Sequence, residues 1–374
     1  MTRPEPAHVI IAGAGIAGLE ALLALDALAP KHVATTVLAP EPSFVMGAAS
    51  VGTPFGHGAP PEYSVEAVVA EHGARLVPDA LHGVHVGDRQ AITRGGDRLA
   101  FDALLVAVGA HRRAAYPAAL AFRGARDVDL IASTLHELEA GRIASLAFVV
   151  PPGPSWPLPL YELALLTAAH SELHGLDVEL SLVTAEPAPL AALGEEVAEH
   201  AAETLAGAGV SVHAATEVVD VLESGALVGP ERRTIAIPER TIALARLHGP
   251  AIHGLPHDEQ GFIPVDRAGR VQGAQGVYAA GDATVGPLKH GGIGAQQAER
   301  ASHEIARQAG APVAAQPHRE VLRAELIEGP GRTFLRRPLD GGTAVLAHDA
   351  LWWPPLKVAA PRLATYLASK GAAT

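Results

Sequence analysis

The chain has 374 residues, of which 48% are hydrophobic, and this length exceeds what one hydrophobic core normally serves, so about two or three domains are expected. The net charge of −12 argues against nucleic acid as a partner, because the phosphate backbone attracts basic surfaces. The chain contains no cysteine, which excludes disulfides, thiolate metal ligands and thiol redox chemistry.

The first predicted element is a buried parallel strand over residues 9–12, which are all apolar. A helix follows, and leucines between residues 19 and 25 supply its packing surface. Between the two lies a G-x-G-x-x-G pattern, whose glycines allow a tight turn, a close approach to a pyrophosphate and close packing of helix on strand. The alternative is a purely structural turn. The residues predicted to bind a dinucleotide here are Gly13, Gly15, Ile16, Ala17 and Gly18.

The second predicted strand, residues 35–39, ends where an acidic residue commonly accepts hydrogen bonds from a ribose. Ala39 stands at that place, and Glu41 follows two residues later. Two interpretations stay open: Glu41 reaches the ribose, or it is a solvated loop residue. A third buried strand within residues 101–110 ends near Gly109, where the backbone is expected to pass close to another group.

The segment 276–284 predicts a further buried strand, which ends in Gly281 and Asp282. An aspartate at this place accepts a hydrogen bond from a sugar alcohol, and the glycine leaves room for the ligand. Residues 289–301 then form a second glycine-rich turn that opens a helix. The N–H groups of Gly292 and Ile293 at that helix N-terminus are expected to stabilise negative charge on an electron-accepting ring.

In order and spacing, these motifs resemble the two-dinucleotide-domain flavoproteins of the pyridine nucleotide-disulfide oxidoreductase superfamily, over about residues 8 to 310. The glycine-rich turn after residue 289 and the tryptophan-containing tail look most like the branch of sulfide:quinone oxidoreductase, flavocytochrome c sulfide dehydrogenase and type II NADH dehydrogenase. The resemblance implies non-covalent FAD, with its diphosphate at residues 13–18.

The resemblance also implies roles for individual residues. The ribityl chain would lie near Asp282, and the flavin pyrimidine edge near Gly292 and Ile293. Gly109 would lie beside the FAD-binding crossover, and the backbone at Leu81, after a short strand at residues 75–77, would face the adenine. Lys289 is expected to stabilise the anionic reduced flavin by its charge; the alternative is a surface lysine.

A second strand–helix–strand unit is predicted from residues 144–150, 158–174 and 178–184. Its turn should carry the NAD fingerprint, but residues 151–159 contain one glycine and five prolines and so offer few N–H groups to a pyrophosphate. NAD(P)H therefore remains a candidate electron donor, although this turn is poorly suited to bind its pyrophosphate. In the sulfide-oxidising relatives this neighbourhood carries a redox cysteine, whereas here Ser155 and Trp156 stand there.

Three further features leave alternatives open. Trp156 either covers the flavin or a quinone by stacking, or fills a gap between domains. Glu186 follows its strand as Glu41 follows the earlier one, and either binds an NAD ribose or is solvated. The histidine pairs at residues 82/85 and 253/257 lack an evident third ligand, so no metal site is predicted.

The tail is predicted to contain a strand at residues 333–339, a hairpin turn at Gly341 and Gly342, and an amphipathic helix opened by residues 352–355. Either the helix touches a membrane surface and a quinone enters near Phe334, Trp352 and Trp353, or it packs on the flavin domain or across a dimer. The apolar face of this helix is predicted to comprise Leu356, Ala359, Ala360, Leu363, Ala364 and Leu367.

We therefore expect an α/β protein with two Rossmann-like dinucleotide-binding domains and a small C-terminal α+β cap. The expected domains are FAD-binding at 1–115 with 250–315, NAD(P)-binding-like at 116–249, and a cap or dimerisation segment at 316–374. No apolar run of about 18 residues and no signal-peptide pattern is present, so a cytoplasmic location is expected, at most peripheral to the inner face of the membrane.

The expected function is an FAD-dependent oxidoreductase that passes electrons from a small-molecule donor through the flavin to a quinone-like or other acceptor, without thiol chemistry. Catalytic roles are expected for Lys289 and Trp156. The alternatives are an NAD(P)H dehydrogenase of type II character and a non-catalytic flavin-binding partner protein. A homodimer is expected.

Overall fold

The computed structural model describes residues 5–314 and 319–371. The predicted boundary between the first domain and the cap, at residues 315 and 316, lies outside the described residues, as does Pro317. In the first third of the chain the elements are β1 (Ala7–Ala12), α1 (Ile16–Leu28), β2 (Val33–Leu38), β3 (Ser43–Val45), β4 (Glu62–Ser64), α2 (Val65–Glu71), β5 (Arg75–Val77), β6 (Leu81–His85), β7 (Gln90–Thr93), β8 (Arg98–Ala100), β9 (Ala103–Val106) and β10 (His111–Arg113).

The middle and C-terminal elements follow in the same way. They are β11 (Leu120–Phe122), α3 (Val128–Glu139), β12 (Ser145–Val150), α4 (Leu158–Leu173), β13 (Glu179–Thr184), α5 (Glu195–Gly207), β14 (Val210–His213), β15 (Asp220–Val221), β16 (Leu227–Val228), β17 (Thr234–Ala236), β18 (Arg240–Leu244), β19 (Arg246–His248), β20 (Val277–Ala279), α6 (Gly291–Gln308), β21 (Val321–Glu328), β22 (Gly331–Pro338), β23 (Val345–Ala347) and α7 (Leu363–Ser369).

Two five-stranded parallel sheets organise the molecule, which confirms the α/β class with two Rossmann-like units. The first unit has the strand order β20-β9-β1-β2-β5 and the second β11-β18-β12-β13-β14. β1 and β12 are almost wholly apolar because each is the middle strand of its sheet. Parallel pairing brings the carboxyl ends of β1, β9 and β20 to one edge, where ligands bind in such sheets.

The C-terminal segment packs on both units. An antiparallel sheet, β21-β22-β23, shares a hydrophobic core with α4 through residues such as Leu322 and Leu335. The last residues share the core of the first unit, where Leu356, Val358 and Leu363 lie with the side chains of α1 and α6. The tail therefore ties the two units together. No helix of the described residues is both long and apolar enough to span a bilayer.

The predicted amphipathic helix of the tail is wrong over most of its length. Residues 351–362, which we name the tail segment, are not helical, and only Leu363–Ser369 forms a helix. Pro361 explains the late start, because a proline inside a helix removes a donor and restricts the residue before it. The residues predicted as its apolar face are buried against the first unit rather than presented to a membrane.

Buried glutamates hold the tail at equivalent places in the two units. Glu20 is the fifth residue of α1 and Glu162 the fifth of α4, and neither side chain is accessible to solvent. Glu20 accepts the backbone N–H groups of Arg362 and Leu363, each at 2.8 Å. Glu162 pairs with the Lys357 ammonium and accepts the N–H of Ile327 at 3.0 Å. The tail segment is thus anchored to the second unit at Lys357 and to the first unit at Arg362.

Candidate active site

The turn between β1 and α1, residues 13–18 (the first-unit turn), is shaped by three glycines with different surroundings. Gly13 has φ +107, and a Cβ there would lie 2.4 Å from the carbonyl oxygen of Ala107. A Cβ at Gly18 would lie 1.9 Å from the carbonyl oxygen of Gly13. A Cβ at Gly15 would meet nothing within 4 Å, and no side chain caps α1 there. Gly13 and Gly18 therefore serve packing, while Gly15 faces open space at a helix N-terminus that attracts anions.

The other strand ends lie beside this turn. Gly109 has φ +72 and open space where a side chain would be, shortly after β9. Gly281, after β20, has φ +76 and donates its N–H to the Gln297 side chain of α6 at 2.9 Å. A Cβ at Gly294 would lie 2.9 Å from the Cα of Gly281, so small residues let α6 approach the strand end closely.

Asp282 is the acidic group of this edge. Its carboxylate accepts no hydrogen bond from the part of the chain that the structure describes. Burial raises the pKa of this carboxyl group, while the charges of Arg112 and Lys289 lower it. A half-buried carboxylate without a donor is costly, so its position favours a ligand that supplies hydroxyl or N–H groups.

Lys289 is buried, which rules out the alternative of a surface lysine. Its Nζ donates to the carbonyl of Thr284 and lies 3.7 Å from the centroid of the Phe262 ring. Burial lowers the pKa of Lys289 to about 8, and the charges of Asp282 and Asp258 oppose that shift. The lysine is therefore held in place and brings a positive charge beside Asp282.

The N-terminus of α6 is capped by a residue that the sequence interpretation did not assign. The Nδ1 of His290 accepts the N–H of Ile293 at 3.3 Å, and burial lowers the pKa of His290 to about 4, so the ring is neutral and able to accept. Gly292 lies between His290 and the tail segment, because a Cβ there would be 2.9 Å from the ring and 3.3 Å from the Ala359 carbonyl. A histidine directly before two glycines at a helix start was the available signal.

The turn of the second unit, residues 151–157 (the second-unit turn), is joined to the loop that precedes α6. Ser155 donates its N–H to the carbonyl of Pro287 at 3.1 Å, and its own carbonyl accepts the N–H of Lys289 at 3.1 Å. The Trp156 ring lies 4.4 Å from that of His290, tilted by 56°. Trp156 of the second unit thus contacts the residue that caps α6.

The remaining predicted residues lie in different surroundings. Glu41 is exposed, whereas Leu81 is buried in the first-unit core. Glu186 is not a freely solvated residue, because Tyr161 donates a hydrogen bond to it at 2.7 Å and Thr184 another at 3.1 Å. Burial raises the pKa of Glu186, and these two hydrogen bonds lower it.

The residues proposed to admit a quinone do not form one opening. Phe334 is buried, and its ring meets that of Trp352 edge-on with centroids 5.2 Å apart. Trp352 also donates its ring N–H to the carbonyl of Leu356 at 3.1 Å. Trp353 is 85% exposed. Among the described residues the histidine pairs 82/85 and 253/257 join no third metal donor.

Comparison with known proteins agrees with this architecture. Residues 163–310 match the family model described as pyridine nucleotide-disulphide oxidoreductase. The fold resembles the sulfide:quinone oxidoreductase of Aquifex aeolicus, with a TM-score of 0.80 at 16% identity over 91% of this chain and 86% of that one. It also resembles the ferredoxin reductase of the CYP199A2 system of Rhodopseudomonas palustris, with a TM-score of 0.67 at 16% identity over 88% of this chain and 82% of that one.

The reduced CoADR-RHD of Bacillus anthracis has a TM-score of 0.63 at 13% identity, over 90% of this chain and 62% of that one. A search of the curated proteins gives no match. The matched segment runs from α4 of the second unit through the return strand β20 to the end of α6. This segment therefore resembles that family, and the likeness to the solved structures shows that the chain shares their fold.

Proposed function

We propose that the chain is an FAD-dependent oxidoreductase whose flavin takes electrons from a small donor without thiol chemistry. The observation that carries the proposal is the arrangement at one edge of the first sheet, where β9 separates β1 from β20. The open, uncapped helix N-terminus at Gly15 follows β1, and the carboxylate of Asp282, which accepts no hydrogen bond from the described residues, follows β20. The first suits a diphosphate and the second a polyhydroxyl chain. FAD contains both groups, and its isoalloxazine ring supplies the redox chemistry when bound.

The chain's own groups are suited to each part of such a cofactor. The N–H groups at Ile16 and Ala17 would hold the diphosphate, and Asp282 would accept a hydroxyl. Lys289 would supply positive charge next to that carboxylate, where it is already fixed by the Thr284 carbonyl. With no cysteine in the chain, attachment through a thioether is excluded, and we propose that FAD is held non-covalently.

We propose that the second unit is a poor site for NAD(P)H. Prolines remove backbone donors from the second-unit turn, and Ser155 uses both its N–H and its carbonyl in bonds to residues 287–289. Trp156 packs on the His290 ring in the space between the units. A nicotinamide would have to displace these contacts to reach the first-unit edge. A donor that needs no dinucleotide turn fits this arrangement better.

A quinone-like molecule is the acceptor that we propose first. The support is the fold likeness to a sulfide:quinone oxidoreductase over most of both chains. Sulfide oxidation through a cysteine persulfide is excluded here, because the chain has no cysteine. An anaerobic screen of quinone analogues, ferredoxin and dyes against the reduced protein identifies the acceptor; turnover only with one-electron protein carriers would overturn the quinone assignment.

Binding of the cofactor is tested by titrating the purified protein, freed of any bound flavin, with FAD in a calorimeter. One FAD per chain is expected, with the absorbance spectrum of a bound flavin in the complex. Asp282→Ala should weaken binding while the fold, followed by circular dichroism, stays intact. A protein that is purified without flavin and ignores added FAD would overturn the proposal.

A further inference from the structure

A cluster of metal-binding side chains lies on the second unit, away from the proposed cofactor edge. Glu139 is the last residue of α3, His170 lies in the last turn of α4, and His174 is the residue that caps α4. One ligand atom from each lies within 4.8 Å of the other two. Within the described chain this is the group in which at least three such donors converge.

The two histidines are arranged as ligands on one helix face, since residues four apart lie one above the other. Their ring centroids are 4.1 Å apart, and the rings are inclined by only 34°. The Nε2 of His170 is 2.9 Å from Oε1 of Glu139. Two imidazoles and a carboxylate thus already face one small volume.

His174 is oriented as metal-bound histidines commonly are, because one of its ring nitrogens is already hydrogen-bonded to a backbone carbonyl. Its Nδ1 is 2.8 Å from the carbonyl oxygen of His170. Because a carbonyl only accepts, Nδ1 is the donor in this contact, and Nε2 is the nitrogen left to bind a metal ion. Metal-bound histidines commonly donate their second nitrogen to a carbonyl in this way.

The surrounding backbone also favours a cation. α3 ends at Glu139 and α4 at Leu173, so the carboxyl ends of two helices meet at the cluster. Each end carries partial negative charge from unpaired carbonyl groups. Donors of a tetrahedral zinc site lie about 3.4 Å apart, and the three ligand atoms of this cluster already lie within 4.8 Å of one another.

We infer that Glu139, His170 and His174 form a binding site for a borderline divalent cation, Zn²⁺ first, with a water completing the tetrahedron. Two nitrogen donors favour Zn²⁺, Co²⁺ or Ni²⁺ over Mg²⁺ and Ca²⁺, which prefer oxygen alone. The bound ion would join the ends of α3 and α4. This metal site is separate from the proposed redox function, and its formation does not depend on FAD.

Zinc titration of the full chain, freed of any polyhistidine tag and stripped with a chelator, tests this inference. The expected result is one Zn²⁺ per chain by calorimetry. His174→Gln and Glu139→Gln should each weaken binding about tenfold or more, since even loss of an outer partner has that effect. His72→Gln is the matched control, because its ring pairs with Asp26 at 2.8 Å and the described residues offer it no third donor.

Co²⁺ provides a second readout that reports coordination directly. Tetrahedral Co²⁺ absorption in the wild type, absent in a variant with both His170→Gln and His174→Gln, supports the site. Equal Zn²⁺ affinity in the wild type, the control and the double variant would overturn the inference. So would Co²⁺ that stays octahedral in the wild type, because the ion would then be hydrated and held only loosely.

Discussion

The first-unit and second-unit turns follow the middle strands of two similar sheets, yet they differ in the backbone groups that they offer to a ligand. The first-unit turn has open space at Gly15 and an uncapped helix start. The second-unit turn is rich in proline, and Ser155 is bonded to the loop before α6. One fold therefore carries one turn for which we propose a dinucleotide and one that contacts the loop before α6. Repetition of a Rossmann-like unit does not by itself repeat its ligand.

The helices after the two turns share a feature that the turns do not. Glu20 and Glu162 stand at the same place in α1 and α4, and both bind the tail. Glu20 meets backbone N–H groups, whereas Glu162 meets a buried ammonium. Burial raises the pKa of both carboxyl groups, that of Glu20 to about 7. The two units are thus alike where they hold the tail and different where a ligand would bind.

The largest effect is expected from Lys357→Met, which leaves Glu162 buried without its cation. Breaking one side of a buried ion pair costs about 3–5 kcal/mol of unfolding free energy, because the remaining charge is uncompensated. Urea denaturation measures the loss. The double variant Glu162→Leu with Lys357→Met should regain most of it; if the double variant is no more stable than Lys357→Met, the ion pair is not the cause.

Glu20 predicts a pH dependence of stability in the first unit. Its pKa is raised from 4.5 to about 7, mainly by burial, so the folded state binds its proton more tightly than the unfolded state does. The contribution is complete below about pH 4.5 and is lost as the pH rises towards 7, by about 3 kcal/mol in total. Glu20→Gln should flatten the stability profile over this window. The exposed Glu66→Gln serves as control, and an equal flattening there would contradict the assignment.

Gly15→Val separates ligand binding from folding at the first-unit turn. No protein atom lies within 4 Å of the new Cβ, so the thermal midpoint should change little. FAD affinity is expected to fall about a hundredfold, or about 2.8 kcal/mol, since the side chain occupies the space proposed for the diphosphate. Calorimetric titration gives the affinity. Gly58→Val, also without neighbours within 4 Å, is the matched control and should bind FAD as the wild type does.

The smallest change in free energy is expected for FAD binding at Asp282, which follows β20 in the first unit. Asp282→Asn keeps the shape but removes the charge, and FAD affinity should fall about tenfold, as for loss of one hydrogen bond to a charged group. In the wild type, affinity should also decrease as the pH falls through the raised pKa of Asp282, because a protonated carboxyl is a weaker acceptor. An affinity that changes with pH in the same way in Asp282→Asn would point to another group.

The central elements of both units could be predicted from sequence because β1, β9, β12 and β20 are nearly continuous apolar runs and because α1 and α4 have repeated leucines. The strand ends were visible for the same reason, since Gly13 and Gly281 stand where those runs stop. The helix prediction for the tail was wrong because the spacing of its apolar residues is that of a helix. Pro361 and the anchors Glu20 and Glu162 instead hold residues 351–362 in an irregular conformation. The cap at His290, the anchoring of Lys289 and the cluster at His170 depend on long-range packing, which a single sequence does not display.

Anaerobic stopped-flow absorbance of the FAD-loaded protein tests the contrast between the two turns most directly. We expect a bound-flavin spectrum before mixing, and reduction by NADH or NADPH that is far slower than about 10 per second, a median enzyme turnover. Reduction at or above that rate would show that the second-unit turn admits a nicotinamide despite its prolines. It would contradict the claim that only the first-unit turn serves a dinucleotide.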